Sequence, residues 1–292
     1  MGSLPPFEYF EPSTLQYALY LLNRYGDSAC VLAGGTDLIV QMRDGKREPK
    51  YIVNIKKIPQ LEGIRIEGKG VIVGALTTVN TIHESNTIKE ILPALHQAAG
   101  TLASYQVRNR ATIGGNLCNA SPAADLAPPL LIYGARLKIA SQNGENEVPI
   151  EHFFLGPGKT MLEPGMILKE IYVPRPSEGT YSMHLKFGTR RAMECAIVNV
   201  AAALNLDNGF CKDVKIALGS VAPTPMRARM AEAELLDRKI DEGLIEKAAE
   251  VAAKESRPIS DIRASAEYRR DMVKVFVKRA LFSLFMQSLG GK

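Results

Sequence analysis

The sequence predicts an α+β protein of two or three packed units, and three observations carry that expectation. At 292 residues with 46% apolar side chains, the chain is long enough for each unit to bury a core of its own. Its first fifty or so residues alternate helix-like and strand-like stretches. Beyond Pro174-Arg-Pro-Ser-Glu-Gly179, the clearest linker-like stretch, three strand-like runs are followed by three helical ones, the order expected of an α+β domain.

Taken in order, Ser13 is placed to cap a helix over Thr14–Tyr25, whose Leu15, Ala18, Leu19 and Leu22 share one face and which Gly26 stops. Ala29–Ala33 is a short buried strand running into Gly34-Gly35-Thr36. A helix begins within Asp37–Met42 and ends at Asp44-Gly45, and Tyr51–Ile55 is the next strand. Gly63–Glu67 and Val71–Ala75 flank a Gly-Lys-Gly turn, a hairpin signal that opens the second unit. That unit continues through a helix around Ile91–Leu102, a loop over Arg108–Ala120, strands around Leu137 and Val148, and a strand Ile167–Val173 closed by Pro174. The last unit holds strands over Tyr181–Phe187, Ala196–Leu206 and Val214–Leu218. Its apolar run Val273–Leu289 is interrupted by Lys278 and Arg279 and repeats with helical spacing, so it is an amphipathic core helix and not a membrane span.

The net charge of +5 is spread along the chain without an arginine-rich arm, which speaks against a nucleic-acid partner. Cys30, Cys118, Cys195 and Cys211 form no C-x-x-C pair, and His83, His96, His152 and His184 form no metal-ligand spacing, so no metal site is expected. Free thiols suit a reducing cytosol, and the opening MGSLPPFEYFEPSTLQ carries prolines and acids where an export signal needs a basic and then an apolar stretch. A cytoplasmic location is expected.

Two glycine pairs stand out, in Ala33-Gly34-Gly35-Thr36-Asp37-Leu38 and Thr112-Ile113-Gly114-Gly115-Asn116, 80 residues apart. Consecutive glycines let backbone N–H groups turn toward a phosphate with no Cβ in the way, and a following helix start adds partial positive charge. One pair alone is usually a turn. Two, each with a hydroxyl (Thr36, Thr112), offer both sides of a cleft to one pyrophosphate, hence a dinucleotide. Neither completes G-x-G-x-x-G, so the fold is not Rossmann. Gly158-Lys159-Thr160 imitates the end of a P-loop, but Phe153 stands where its first glycine is needed and Pro157 removes a donor. No constellation of nucleophile, acid and base is visible, and no catalytic residue is assigned.

With these motifs in place, the chain resembles the FAD-binding medium subunits of molybdenum hydroxylases, such as carbon monoxide, nicotinate and xanthine dehydrogenases and aldehyde oxidoreductases. The resemblance rests on AGGTDL from Ala33, Val107-Arg108-Asn109 leading into TIGGN from Thr112, NASPAADLAP from Asn119, the pattern from Phe153 to Pro174, and APTPMRA from Ala222. It spans essentially the whole chain. It implies a two-part, vanillyl-alcohol-oxidase-like (PCMH-type) FAD-binding domain over residues 1–176, with subdomains of about 1–57 and 58–176. A smaller C-terminal α+β domain of the carbon monoxide dehydrogenase flavoprotein type follows over 177–292.

Carried over residue by residue, the family's first flavin loop falls on Val31, Leu32, Ala33, Gly34, Gly35, Thr36, Asp37 and Leu38, and its second on Thr112, Ile113, Gly114, Gly115 and Asn116. Further contacts fall on Asp125, Leu168 and Lys186, and on Leu102, an aromatic in some members. Without the resemblance, Asp125 reads as a cap for the helix starting near Pro128, and Lys186 as a solvated strand residue. Some oxidases of this fold attach flavin through a histidine after the glycine pair. Thr36 stands there, which implies non-covalent FAD.

The implied role is a redox junction. A molybdenum-cofactor large subunit and a small subunit with two [2Fe-2S] clusters, arranged as a dimer of heterotrimers, deliver electrons to FAD on this chain for an external acceptor. The alternative is a free-standing FAD-dependent oxidoreductase of the same fold. The cysteine-bearing insertion of 4-hydroxybenzoyl-CoA reductases has no counterpart between Leu117 and Phe153.

Overall fold

Helix α1 (Leu15–Tyr25) begins one residue later than its sequence signals indicate. Thr14, not Ser13, is the cap, accepting the Tyr17 N–H, while Gly26 closes the helix with its own N–H on Leu22 O. Its face of Leu15, Ala18, Leu19, Leu21 and Leu22 is buried, each leucine contributing roughly 1.5–3 kcal/mol. It packs on a three-stranded parallel sheet made of β1 (Glu8–Phe10), β2 (Ala29–Leu32) and β3 (Tyr51–Asn54), with β3 central. Strand β1 carries only three residues and no alternation, and it escaped the sequence reading. Helix α2 (Leu38–Arg43) joins β2 to β3. The computed structural model describes residues 4–190 and 192–290.

The second unit is built on an antiparallel five-stranded sheet. Its hairpin β4 (Ile64–Glu67) and β5 (Gly70–Gly74) turns at Gly68-Lys69 as expected, with Gly68 at φ +57°. Strands β6 (Arg136–Ser141), β7 (Gly144–Pro149) and β10 (Ile167–Pro174) complete the order β4-β5-β10-β6-β7. Between β5 and β6 run short helices: α3 (Val79–Glu84), α4 (Asn86–Ile91), α5 (Pro93–Thr101), α6 (Tyr105–Arg108), α7 (Ile113–Cys118) and α8 (Ala127–Ile132). The expected loop over Arg108–Ala120 is thus partly helical. Strands β8 (Phe154–Gly156) and β9 (Lys159–Thr160) form a separate small hairpin.

After Pro174 the chain enters a four-stranded antiparallel sheet of β11 (Thr180–Phe187), β12 (Val198–Asp207), β13 (Phe210–Gly219) and β14 (Met226–Arg227), followed by α9 (Arg229–Leu235), α10 (Glu242–Glu255) and α11 (Ala266–Gly290). Both faces of this sheet are covered. Val198, Val200, Ala202 and Leu204 of β12 share a core with Val273, Val277, Ala280 and Leu284 of α11. The alternate residues Ala201 and Ala203, with Ala217 of β13, belong instead to the core of the second unit beside α5 and α8. The period-2 alternation of a strand sends one set of side chains to each neighbour, and small residues on the second face let α8 approach closely. No described helix is long and apolar enough to cross a membrane.

Candidate FAD-binding cleft

Where β2 ends, the chain reverses direction through Gly34 and Gly35, the latter at φ +81°, a backbone conformation that glycine adopts without strain. A Cβ built on Gly34 would lie 2.1 Å from the carbonyl oxygen of Arg110 and 2.9 Å from its carbon. Glycine is therefore required here for contact: the first glycine loop is seated directly on the segment leading into the second. Among the described residues, no hydrogen bond uses the N–H groups of Gly34, Gly35, Thr36, Asp37 or Leu38. Five successive free donors face a cleft of about 890 Å³, toward the large end of ordinary ligand sites. Because α2 has only six residues, any anion held here would depend on these donors and not on a helix dipole.

The second pair is built differently, which corrects the expectation that both glycine pairs offer free donors. Ile113 N–H donates to Thr77 O (3.1 Å), Gly114 N–H to Ala75 O (2.9 Å), Gly115 N–H to the Thr112 hydroxyl (3.0 Å) and Asn116 N–H to Thr112 O (3.0 Å). All four are spent inside the protein as α7 is capped by Thr112. Glycine is needed at 114 because a Cβ would come within 2.7 Å of Ala75, and Gly115 presents bare backbone to the cleft. This loop therefore shapes the wall with its backbone N–H groups already engaged.

Residues 31, 33–38, 102, 112, 114–116, 125 and 168 line the one cleft, so residues far apart in sequence meet there. Leu32 and Ile113 do not line it, and Ile113 is fully buried in the core. Lys186 does not line it either. It lies behind the wall, its Nζ donating to Asp125 Oδ2 at 2.7 Å and to Thr101 O at 3.2 Å. Asn199 Nδ2 donates to the other oxygen of Asp125 at 3.2 Å. Asp125 is thus neither the cap of α8, which begins after Leu126 without a side-chain cap, nor is Lys186 a solvated strand residue. The pair is buried and joins the second unit to the C-terminal sheet. Burial raises the Asp125 carboxyl above its ordinary value against the pull of Lys186 and Asn199.

Other features of the cleft had no sequence signal. Lys56 Nζ donates to Ala33 O (3.1 Å) and steadies the first loop; burial and then the charge of Arg110 lower its pKa. Gln41 of α2 donates to the Asn119 side chain beyond α7 at 2.9 Å, linking the helices that follow the two loops. Asp37, one of the residues the resemblance named, also lines the cleft, and desolvation raises its carboxyl. Met193, Glu194 and Cys195 from the connection between β11 and β12, and Leu155 and Lys159 from the β8–β9 hairpin, also line it. Burial pushes the Cys118 thiol up to about 12, so it stays protonated and serves as packing. Among the described residues no group of three His, Cys, Asp or Glu side chains is placed to hold a metal ion.

Two family models match: the FAD-binding domain in molybdopterin dehydrogenase over residues 5–176 and the CO dehydrogenase flavoprotein C-terminal domain over residues 183–284. The xanthine dehydrogenase FAD-binding subunit of Escherichia coli O157:H7 is 36% identical over 97% of each chain. The carbon monoxide dehydrogenase medium chain of Hydrogenophaga pseudoflava is 34% identical over 95% of this chain and 96% of its own. Among solved structures, carbon monoxide dehydrogenase from Hydrogenophaga pseudoflava superimposes with a TM-score of 0.95 at 35% identity, covering 97% of this chain and 99% of that one. Quinoline 2-oxidoreductase from Pseudomonas putida 86 superimposes with a TM-score of 0.93 at 28% identity, covering 98% of this chain and 99% of that one.

Proposed function

The chain belongs to the family of FAD-binding, electron-transferring subunits of molybdenum-containing dehydrogenases, and from that premise we propose how its cleft holds the cofactor. The single observation that carries the assignment is the run of free N–H groups from Gly34 to Leu38 opening into one large cleft. They hold the pyrophosphate, with Thr36 as a further donor and Gly115 leaving room on the opposite side. Leu102, Leu168 and Asp125 bound the cavity. Leu102 supplies an aliphatic wall in place of an aromatic stack. Lys186 acts one layer back, holding Asp125 in position, which its burial behind the wall supports. Attachment is non-covalent, because Thr36 offers no side chain suited to a flavin linkage.

When bound, FAD accepts electrons one at a time and yields them in pairs to an external acceptor. This chain's own residues bind and orient it. The same reading divides the chain at residue 176: residues 1–57 and 58–176 form the two parts of the cofactor domain and 177–292 the C-terminal domain. The end of β10 at Pro174, with β11 opening a separate sheet at Thr180, supports that division. A molybdenum-cofactor large subunit and a small subunit with two [2Fe-2S] clusters complete a cytoplasmic complex, a dimer of heterotrimers. The relatives' names, which describe FAD-binding subunits and medium chains, support its being one part of a multi-subunit assembly.

Protein purified from a flavin-sufficient host is expected to be yellow and to release intact FAD on acid or heat denaturation. Flavin remaining on the denatured polypeptide would overturn non-covalent binding, and FMN alone would overturn the pyrophosphate assignment. The isolated chain is expected to contain neither molybdenum nor iron, while dithionite bleaches its flavin. Stoichiometric iron, or oxidation of a purine or aldehyde by the chain alone, would replace this reading with a free-standing oxidoreductase.

A further inference from the structure

Strand residues two apart share a face, and on β11 Ser182, His184 and Lys186 all turn toward the cofactor half. Ser182 Oγ lies 2.6 Å from Tyr133 OH, and Lys186 Nζ reaches Asp125 and Thr101 O. His184, between them, is 4% exposed, yet neither of its ring nitrogens has a hydrogen-bond partner among the described residues. Each buried polar atom left unpaired costs about tenfold or more in the folding equilibrium. Burial, followed by the neighbouring Lys186 charge, holds the imidazole pKa down to about 3. The ring is therefore neutral and carries one donor and one acceptor.

Several of the groups around the ring are already engaged or apolar. Directly opposite His184 on β12 is Ala201, Tyr133 and Asp125 are engaged as above, and Gln97 Oε1 already accepts the backbone N–H of His184 at 2.8 Å. Asn199 Oδ1, the other unpaired atom on this face, packs onto Gly219, where a Cβ would lie 1.9 Å from it. Gln97 is itself exposed on α5, which puts a surface residue one hydrogen bond from the backbone of His184.

We propose that the seam between the cofactor half and the C-terminal sheet contains an ordered-water site at His184, which satisfies both ring nitrogens and completes the row of polar contacts that docks the two halves. The ligand is a small, neutral hydrogen-bonding molecule because the ring is neutral and buried. The site does not depend on the FAD assignment.

A crystal structure of the flavin-loaded chain that resolves ordered solvent should show density within hydrogen-bonding distance of His184 Nδ1 or Nε2. A dry ring in apolar contact, or one bonded directly to a protein group, would overturn the proposal. His184→Phe, which keeps a ring and deletes both nitrogens, should raise the unfolding constant about tenfold. His184→Gln, which retains a donor and an acceptor, should recover most of that loss, and both variants should keep their FAD. A His184→Phe protein as stable as the parent, or more so, would mean that the nitrogens are unsatisfied and the site is not hydrated.

Discussion

Replacing Gly34 with alanine is expected to strip FAD from the folded protein. The new methyl would start 2.1 Å from the Arg110 carbonyl oxygen, a backbone atom with no side-chain freedom to move aside. The first loop must lift off the second, and its free N–H groups leave the position proposed for the phosphate. Overpacking against rigid structure costs about 1–3 kcal/mol, and a backbone clash belongs at the upper end, so affinity should fall roughly a hundredfold. Titration of apoprotein with FAD, read by quenching of flavin fluorescence, measures the loss, and far-UV circular dichroism checks the fold. Gly156 is the control, because a Cβ there meets nothing within 4 Å. Wild-type affinity in Gly34→Ala, or an equal loss in Gly156→Ala, would show that the contact between the loops does not position the site.

A second large effect is expected from Lys186→Met. The thioether roughly preserves volume but leaves Asp125, 5% exposed, with Asn199 as its remaining donor. Breaking one side of a buried ion pair costs about 3–5 kcal/mol, because the stranded charge keeps its desolvation penalty. The direction with pH follows from burial, which already raises the Asp125 carboxyl above its ordinary value. Without the ammonium it rises further, and the folded variant holds a proton that the unfolded chain releases near pH 4. Its stability should therefore be best in acid and decline as pH rises through the folded value. Urea unfolding across pH measures this. Asp125→Asn combined with Lys186→Met should recover much of the loss, since no charge is then buried. A Lys186→Met protein with unchanged midpoint would mean the pair contributes nothing net.

These two sites also mark where sequence legibility stopped. Helix α1, the β4–β5 hairpin and the strands of the C-terminal sheet were readable because their signals are local: a 3.6-residue stripe, a Gly-Lys-Gly turn and alternation between prolines. Helix α7 was not readable. Its two consecutive glycines oppose helix formation by propensity, and it exists because Thr77 and Ala75, some forty residues upstream, accept its first N–H groups. For the same reason both glycine pairs looked alike in sequence although only the first keeps its donors free. Asp125 and Lys186 are 61 residues apart, so local reading offered a helix cap and a solvated strand residue. The resemblance named both positions as flavin contacts, but only Asp125 faces the cleft.

The alanine face of the C-terminal sheet has a consequence for how the chain is made. Helices α5 and α8 are complete once Tyr133 has been synthesised, but the strands that cover them end at Gly219, 86 residues later. At about 5–20 residues per second, the ribosome leaves that greasy surface uncovered for roughly 4–17 seconds on every nascent polypeptide. This interval is when a chaperone has something to hold, and when truncated messages yield fragments that aggregate. Arrest at codons before β12 should therefore give insoluble product, whereas release after β13 should give chains able to shield their own first half.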